Sequence, residues 1–229
     1  MKRILVTGGT GFVGHWMLQT APPELDVTYI TRQGYNLWHW WTMEWDAIVH
    51  LAPVSPEKVL SCAERNKARV LYCSSGIVYH PENDTEYRQN KIAWEACCLA
   101  SNVDVVIARL FAFYGDRLSN DHAVMAFQKA ALAGETLKIW GDGNAVRSYL
   151  SGADLGRWMW AILLHGARGE AYDVGGDKPI TMMQLARAFV NVFDKTGATI
   201  EVQNGKDAMP VYLPPDTAKT KRLLNGRPD

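Results

Sequence analysis

"KRILVTGGTGFVG", residues 2–14, decides the fold of this chain. An apolar run from Ile4 to Val6 leads into Gly8, Gly11 and Gly14 at three-residue spacing, and a helical pattern begins there. Strand, glycine turn and helix in that order are the context a dinucleotide fingerprint requires. Glycine at the turn leaves no β-carbon in the way, so the backbone can approach a pyrophosphate whose charge then rests on the free N–H groups of the following helix. Gly8, Thr10, Gly11, Phe12, Val13 and Gly14 are therefore candidate cofactor-binding residues.

Outward from that segment, strand and helix patterns alternate. Strands are expected over 3–7, 26–31, 46–51, 69–74 and 104–110, with helices over 11–20, 56–66 and 87–101. Such alternation implies an α/β fold with a doubly wound parallel sheet of the Rossmann type. Ligands of these sheets bind beyond the carboxyl ends of the strands. Leu51, Ala52, Pro53 and Phe111 follow predicted strands there and join the cofactor candidates, and Ser75 falls at the same edge. Residues 1–115 read as the dinucleotide-binding core. Residues 116–229 read as a smaller α/β substrate lobe with some segments returning to the core: a helix near 122–133, a strand at 137–140, a helix over 153–164, a helix capped by Thr181 and a strand near 199–203.

The 229 residues carry 24 basic and 24 acidic side chains, so no charge excess suggests a nucleic-acid groove or a polybasic membrane surface. No apolar stretch approaches bilayer length and no signal-peptide core precedes the first strand, which points to a cytoplasmic protein with small-molecule partners or copies of itself. Cys62, Cys73, Cys97 and Cys98 lack paired C-x-x-C spacing and read as structural thiols. His50, after a strand, reads as a packed core residue, and no metal site is expected. Trp38, Trp41 and Trp45 have the spacing of one face of a short helix packed on the sheet, with stacking on an adenine as the alternative.

Further motifs, in order, are "DAIVHLA" at 46–52, "YCSSGIVY" at 72–79, "YRQNK" at 87–91, "RLFAFYG" at 109–115, "GDGNAVRSYLSGADL" at 141–155 and "YDVGG" at 172–176. With the glycine segment they make the chain resemble the extended short-chain dehydrogenase/reductase family of nucleotide-sugar epimerases, dehydratases and reductases. The resemblance implies an NAD(P)-dependent epimerase or ketoreductase. Ser75 would hydrogen-bond the reacting sugar oxygen, Tyr87 would act as acid and base, and Lys91 would be its partner and a holder of the cofactor ribose. Arg147 would meet the nucleotide diphosphate, and a homodimer would pack helices near 56–66 and 87–101, with Ile92, Trp94 and Leu99 as candidate surface.

Elementary chemistry bears on the same roles. Tyr and Lys four apart on a helix share a face. A free tyrosine titrates at about pH 10, and the Lys91 ammonium, with the positive charge of an oxidised nicotinamide added, would make its phenolate accessible nearer neutrality. Taken alone, Tyr87 and Lys91 could be a surface pair, and Arg147 with Asp154 a surface salt link. Thr31 and Arg32 stand where NAD-preferring relatives carry an aspartate, which favours NADP over NAD through charge-assisted pairing with a 2′-phosphate. Gly76 and Ile77 occupy the positions of the acidic pair of 4,6-dehydratases, which argues against dehydration, and Ala112 replaces a substrate-contacting asparagine. The segments before Tyr87 are short for the family, which suggests a cleft open on the adenine side or completed by another chain. Two other readings remain: a non-catalytic NAD(P)-binding or redox-sensing module, and an oxidoreductase of a non-nucleotide alcohol or ketone.

Overall fold

Ile4, Leu5 and Val6 are all fully buried, as are Ile48, Val49, Val106 and Ile107, the signature of strands covered on both faces. The computed structural model describes residues 2–31, 40–203, 205, 211–214 and 216–224. Strands β1 (Lys2–Thr7), β2 (Leu25–Ile30), β3 (Ala47–His50), β4 (Arg69–Ser75) and β5 (Val105–Leu110) alternate with helices α1 (Phe12–Gln19), α2 (Glu57–Asn66) and α3 (Glu86–Ala100). Their bounds lie within two residues of those expected.

The chain then runs through β6 (Ala112–Tyr114), α4 (Ala123–Ala133), β7 (Thr136–Trp140), β8 (Val146–Arg147), β9 (Tyr149–Ser151) and α5 (Gly152–His165). It ends with β10 (Ala171–Val174), β11 (Ile180–Thr181), α6 (Met182–Val192), β12 (Thr199–Gln203), β13 (Val211–Tyr212) and α7 (Thr217–Leu224). The main sheet has the order β10-β5-β4-β3-β1-β2, and every pairing in it is parallel.

Period-two alternation divides the core. Ile4, Val6, Val106 and Ala108 face one layer, where α1 and α5 contribute Met17, Leu155, Met159 and Ile162. Leu5, Val105 and Ile107 face the other, against Val59, Cys62 and Ala63 of α2 and Cys98 of α3. Chain segments after residue 150 thus complete the first layer: β10 extends the sheet beside β5, and Trp160 on α5 donates its indole N–H to the Met17 carbonyl at 2.8 Å. A separate cluster of Val124, Phe127, Leu137, Ile139, Leu185 and Ala186 packs α4, β7 and α6 together. Thr181 caps α6 with a full capping box, as its spacing to Gln184 predicts.

The tryptophan segment departs from expectation. Residues Trp40–Thr42 form a single 3-10 turn, and the buried indoles are Trp40 and Trp45, with Trp41 only partly buried. Trp45 donates its N–H to the Trp40 carbonyl at 2.8 Å, and satisfying that buried donor folds the segment back on itself instead of extending a helix. Trp38 lies outside the described residues.

Candidate active site

The chain leaves β1 for β2 on one side and returns to β3 on the other, so the carboxyl ends of β1 and β3 form the switch point of the sheet. Gly8 follows β1 with φ +72°, and a Cβ there would stand 2.8 Å from the Ala52 nitrogen, so the glycine turn packs directly on the segment after β3. Gly14 is buried against Gly9, whose carbonyl oxygen would be 2.4 Å from an added Cβ. Gly11 is the N-cap of α1 and supplies no side-chain cap, which leaves the first helical N–H groups available to a phosphate. The residues present therefore fit a dinucleotide at this end of the sheet.

His50 ties the two strand ends together. Its Nε2 lies 3.0 Å from the Val54 carbonyl and its Nδ1 2.8 Å from the Thr7 hydroxyl. A carbonyl only accepts, so Nε2 carries the proton and the Thr7 hydroxyl donates to Nδ1. Burial pushes this imidazole down to about 4, with the Lys91 charge acting in the same direction, so it is neutral at pH 7. It is a core residue, as expected.

A cleft of about 860 Å³ opens beyond the strand ends. Ser75, Tyr87, Lys91 and Arg147 all line it, together with Val13, Leu51, Pro53 and Phe111 of the cofactor candidates. Phe12 instead stacks on Phe113 at 5.2 Å, joining the glycine turn to β6. Arg32 lies outside the described residues. Asp154 engages Ser151 and Arg157 at the start of α5, at 2.8 and 2.9 Å. Ala112 and Ile77 contribute to the cleft, the latter an apolar wall.

Three local features place Ser75, Tyr87 and Lys91. Ser75 ends β4 and accepts the Ile77 N–H at 3.3 Å, opening a 3-10 turn over Gly76–Tyr79. Thr85 caps α3 by accepting the Arg88 N–H at 3.3 Å, so Tyr87 sits in the first turn of that helix. One turn further, Lys91 is 6% exposed, donates to the Cys73 carbonyl at 2.8 Å and sets its ammonium 5.7 Å from the Tyr87 ring.

Tyr87 is 53% exposed as a residue, yet desolvation within the cleft pushes its phenol above the ordinary value, while a hydrogen bond from Ser75 pulls it back. Burial likewise pushes the Lys91 ammonium down. Burial is the largest influence on the phenol, and the Lys91 ammonium stands 5.7 Å from its ring.

Several cleft residues escaped the sequence argument. Tyr212, on β13, places its hydroxyl 3.5 Å from Ser75 Oγ and donates to the Leu110 carbonyl at 3.3 Å, with its ring against Phe111 at 5.0 Å. Its position comes from pairing with Arg147, which no local pattern encodes. Lys138 and Trp140 line the outer part of the cleft, and the indole is 68% exposed. Here alternation with buried Leu137 and Ile139 was the available signal.

A parallel sheet with a glycine turn at its switch point defines a Rossmann-type fold, and Ser75, Tyr87 and Lys91 line the cleft beside that turn. The chain belongs to the NAD dependent epimerase/dehydratase family, whose model matches residues 24–175.

Among sequence relatives, UDP-glucuronic acid decarboxylase 2 of Arabidopsis thaliana is 28% identical over 289 aligned positions, covering 99% of this chain. The chain spans 64% of that protein's length. UDP-glucuronic acid decarboxylase 1 of Xenopus tropicalis is 28% identical over 290 positions, covering 99% of this chain and 68% of its own. Among solved structures, UDP-glucuronic acid 4-epimerase from Bacillus cereus in complex with NAD matches with a TM-score of 0.82 at 20% identity, over 99% of this chain and 93% of that one. RMD from Pseudomonas aeruginosa complexed with NADPH matches with a TM-score of 0.81 at 20% identity, over 100% and 94%. Among the described residues no helix is long and apolar enough to cross a membrane.

Proposed function

We propose that the protein is a nucleotide-sugar epimerase or related oxidoreductase of the cytoplasm that oxidises a hydroxyl-bearing sugar carbon through Ser75, Tyr87 and Lys91. The observation that carries this reading is the convergence of those three side chains with Arg147 in one cleft. When bound, NAD(P) supplies the hydride acceptor. The leaning toward NADP rests on Arg32 in the sequence, where NAD-preferring relatives carry an aspartate. Gly8, Gly11, Val13, Leu51, Ala52 and Pro53 would hold the cofactor, with Lys91 at its ribose.

In this reading the chain's own residues carry the proton chemistry. Tyr87 as phenolate takes the proton of the sugar hydroxyl while the carbon gives up its hydride, and Ser75 orients the reacting oxygen. Because burial pushes the phenol up, oxidation gains rate as pH rises through its titration. Return of hydride to the opposite face of the ketone gives an epimer. With a carboxylate β to the ketone, loss of CO2 competes with that return, so a uronic acid nucleotide can yield either product.

UDP-glucuronic acid is the first substrate to test, since decarboxylases and an epimerase of that compound are among the similar proteins. Arg147 and Lys138 in the cleft suit its anionic groups. Incubation with UDP-glucuronic acid and NAD or NADP, followed by mass spectrometry, distinguishes an isobaric epimer from a decarboxylated pentose. Tyr87→Phe is expected to lower turnover by roughly 100-fold or more. Absence of turnover across UDP-, dTDP-, GDP- and CDP-sugars by a cofactor-binding protein would overturn the reading.

Ile92 and Leu99 are 40% and 51% exposed on α3, next to exposed Ala93, Ala96 and Ala100. That apolar stripe supports a homodimer built on α3.

A further inference from the structure

Helix α3 presents a third residue to the sheet on the face that carries Tyr87 and Lys91. Glu95 follows Lys91 by four positions, so the three stand one above another along the helix. The helix is thus fastened to β4 at successive levels. Lys91 donates to the Cys73 carbonyl at 2.8 Å, and below it the Ser74 hydroxyl donates to Glu95 Oε1 at 2.5 Å. Glu95 is only 7% exposed.

Its charge is met from the neighbouring strand. Arg109 of β5 donates from Nε to Oε1 at 3.0 Å and from Nη2 to Oε2 at 2.6 Å, a two-point fork. Ser74 and Arg109 are register partners in the β4–β5 pairing, so the carboxylate bridges two adjacent strands at one level. Arg109 is itself held: its Nη1 donates to the Tyr79 hydroxyl at 2.6 Å, and that hydroxyl donates to Asp173 Oδ1 on β10 at 3.1 Å.

Stability alone does not call for this arrangement. Desolvating a buried ion pair offsets much of its attraction, and apolar pairs of similar volume are commonly as stable. What a two-point arginine–carboxylate fork adds is direction. A helix held only by apolar contact can rotate or slide, and a shift of one residue turns it by about 100° and moves it about 1.5 Å. Either displacement would take Lys91 off the Cys73 carbonyl and Tyr87 away from Ser75.

We propose that Glu95, clamped by Arg109 and Ser74, is a positioning residue that sets the rotation and axial register of α3 and thereby delivers Tyr87 and Lys91 to the cleft. The functional consequence rests on the Tyr87–Lys91 reading above; the placement does not.

The experiment therefore has an arm that needs no substrate. Full-length protein and the variants Glu95→Gln and Arg109→Lys are pulse-labelled with acetic anhydride, and acetylation of Lys91 is followed by peptide mass spectrometry. Near-UV circular dichroism verifies folding, and kcat and KM are measured with UDP-glucuronic acid. Lys91 is expected to label several-fold faster in both variants, with kcat down by about 10- to 100-fold and KM little changed. A paired replacement, Glu95→Leu with Arg109→Met, removes both charges and keeps the experiment decisive if a single variant fails to fold. It too is expected to fold and to label rapidly at Lys91. Folded variants in which Lys91 stays as protected as in the parent would overturn the proposal. If the parent turns over no nucleotide sugar, the enzymatic reading fails while the labelling still decides the role of Glu95.

Discussion

Acidification from pH 7 to pH 4 is predicted to cost the protein about 3 kcal/mol through His50 alone. The imidazole is fully buried, and burial moves its titration from 6.5 to about 4. Between those values the unfolded chain binds a proton that the folded chain refuses, so stability rises with pH across that window and is lost as pH falls through it. Each pH unit of separation is worth about 1.4 kcal/mol, and half-protonation of the folded imidazole at pH 4 trims the full separation to the figure above. Against a typical domain stability of about 5–15 kcal/mol, that is a large share. Urea unfolding at half-unit steps from pH 4 to 7, for the parent and His50→Gln, measures it by linear extrapolation. His50→Gln is expected to be less stable at pH 7 but to lose less on acidification, so the two curves converge. Asp173 is pushed up by burial and works in the opposite direction, but it is present in both proteins and cancels in the difference. Parallel curves would refute the assignment of a neutral, desolvated His50 to the switch point.

Gly14→Ala places a Cβ 2.4 Å from the Gly9 carbonyl oxygen, backbone that cannot swing aside. It is predicted to lower stability by about 1–3 kcal/mol, while Gly11→Ala, whose nearest atom is 3.5 Å away, leaves the melting temperature almost unchanged. Tyr212→Phe keeps the ring against Phe111 and His80 but removes the hydroxyl beside Ser75. It is expected to cost about 1 kcal/mol of stability or less and to reduce kcat in the UDP-glucuronic acid assay. Light scattering is expected to give a dimer mass for the parent and a monomer mass for Ile92→Glu combined with Leu99→Glu.

How legible each part was depends on the range of the forces that set it. The parallel sheet was readable because strands buried on both faces need continuous apolar runs, and Ile4 to Val6 and Ala47 to Val49 are such runs. The meeting of Ser75, Tyr87 and Lys91 in one cleft was readable because a strand end and a helix spacing bring them to one edge. Tyr212 was not readable, since a two-residue strand has no periodicity and its place is set by pairing with β8. The Trp40–Trp45 turn was misread because three-and-four spacing describes a helix only where no buried donor demands a nearer acceptor, and the Trp45 N–H does. The upward push of burial on Tyr87 is not legible in the sequence for a related reason. Pairing rules name the charges, but desolvation depends on what the tertiary structure packs around them.

The short stretch between Ser75 and Tyr87 still brings both side chains to one cleft, and the reason is local. The 3-10 turn over Gly76–Tyr79 begins on the Ser75 hydroxyl and draws in the chain, and Thr85 starts α3 six residues after that turn ends. Gly76 makes the turn possible: a Cβ there would stand 2.4 Å from the Phe111 ring, which packs beneath it and also supports Tyr79 and Tyr212. Its alignment with the Arabidopsis relative covers 289 positions, more than the 229 residues of this chain, so that relative carries insertions this chain lacks. Those insertions are not needed to bring serine, tyrosine and lysine together, because a strand-end hydroxyl, a glycine and a helix cap already do so.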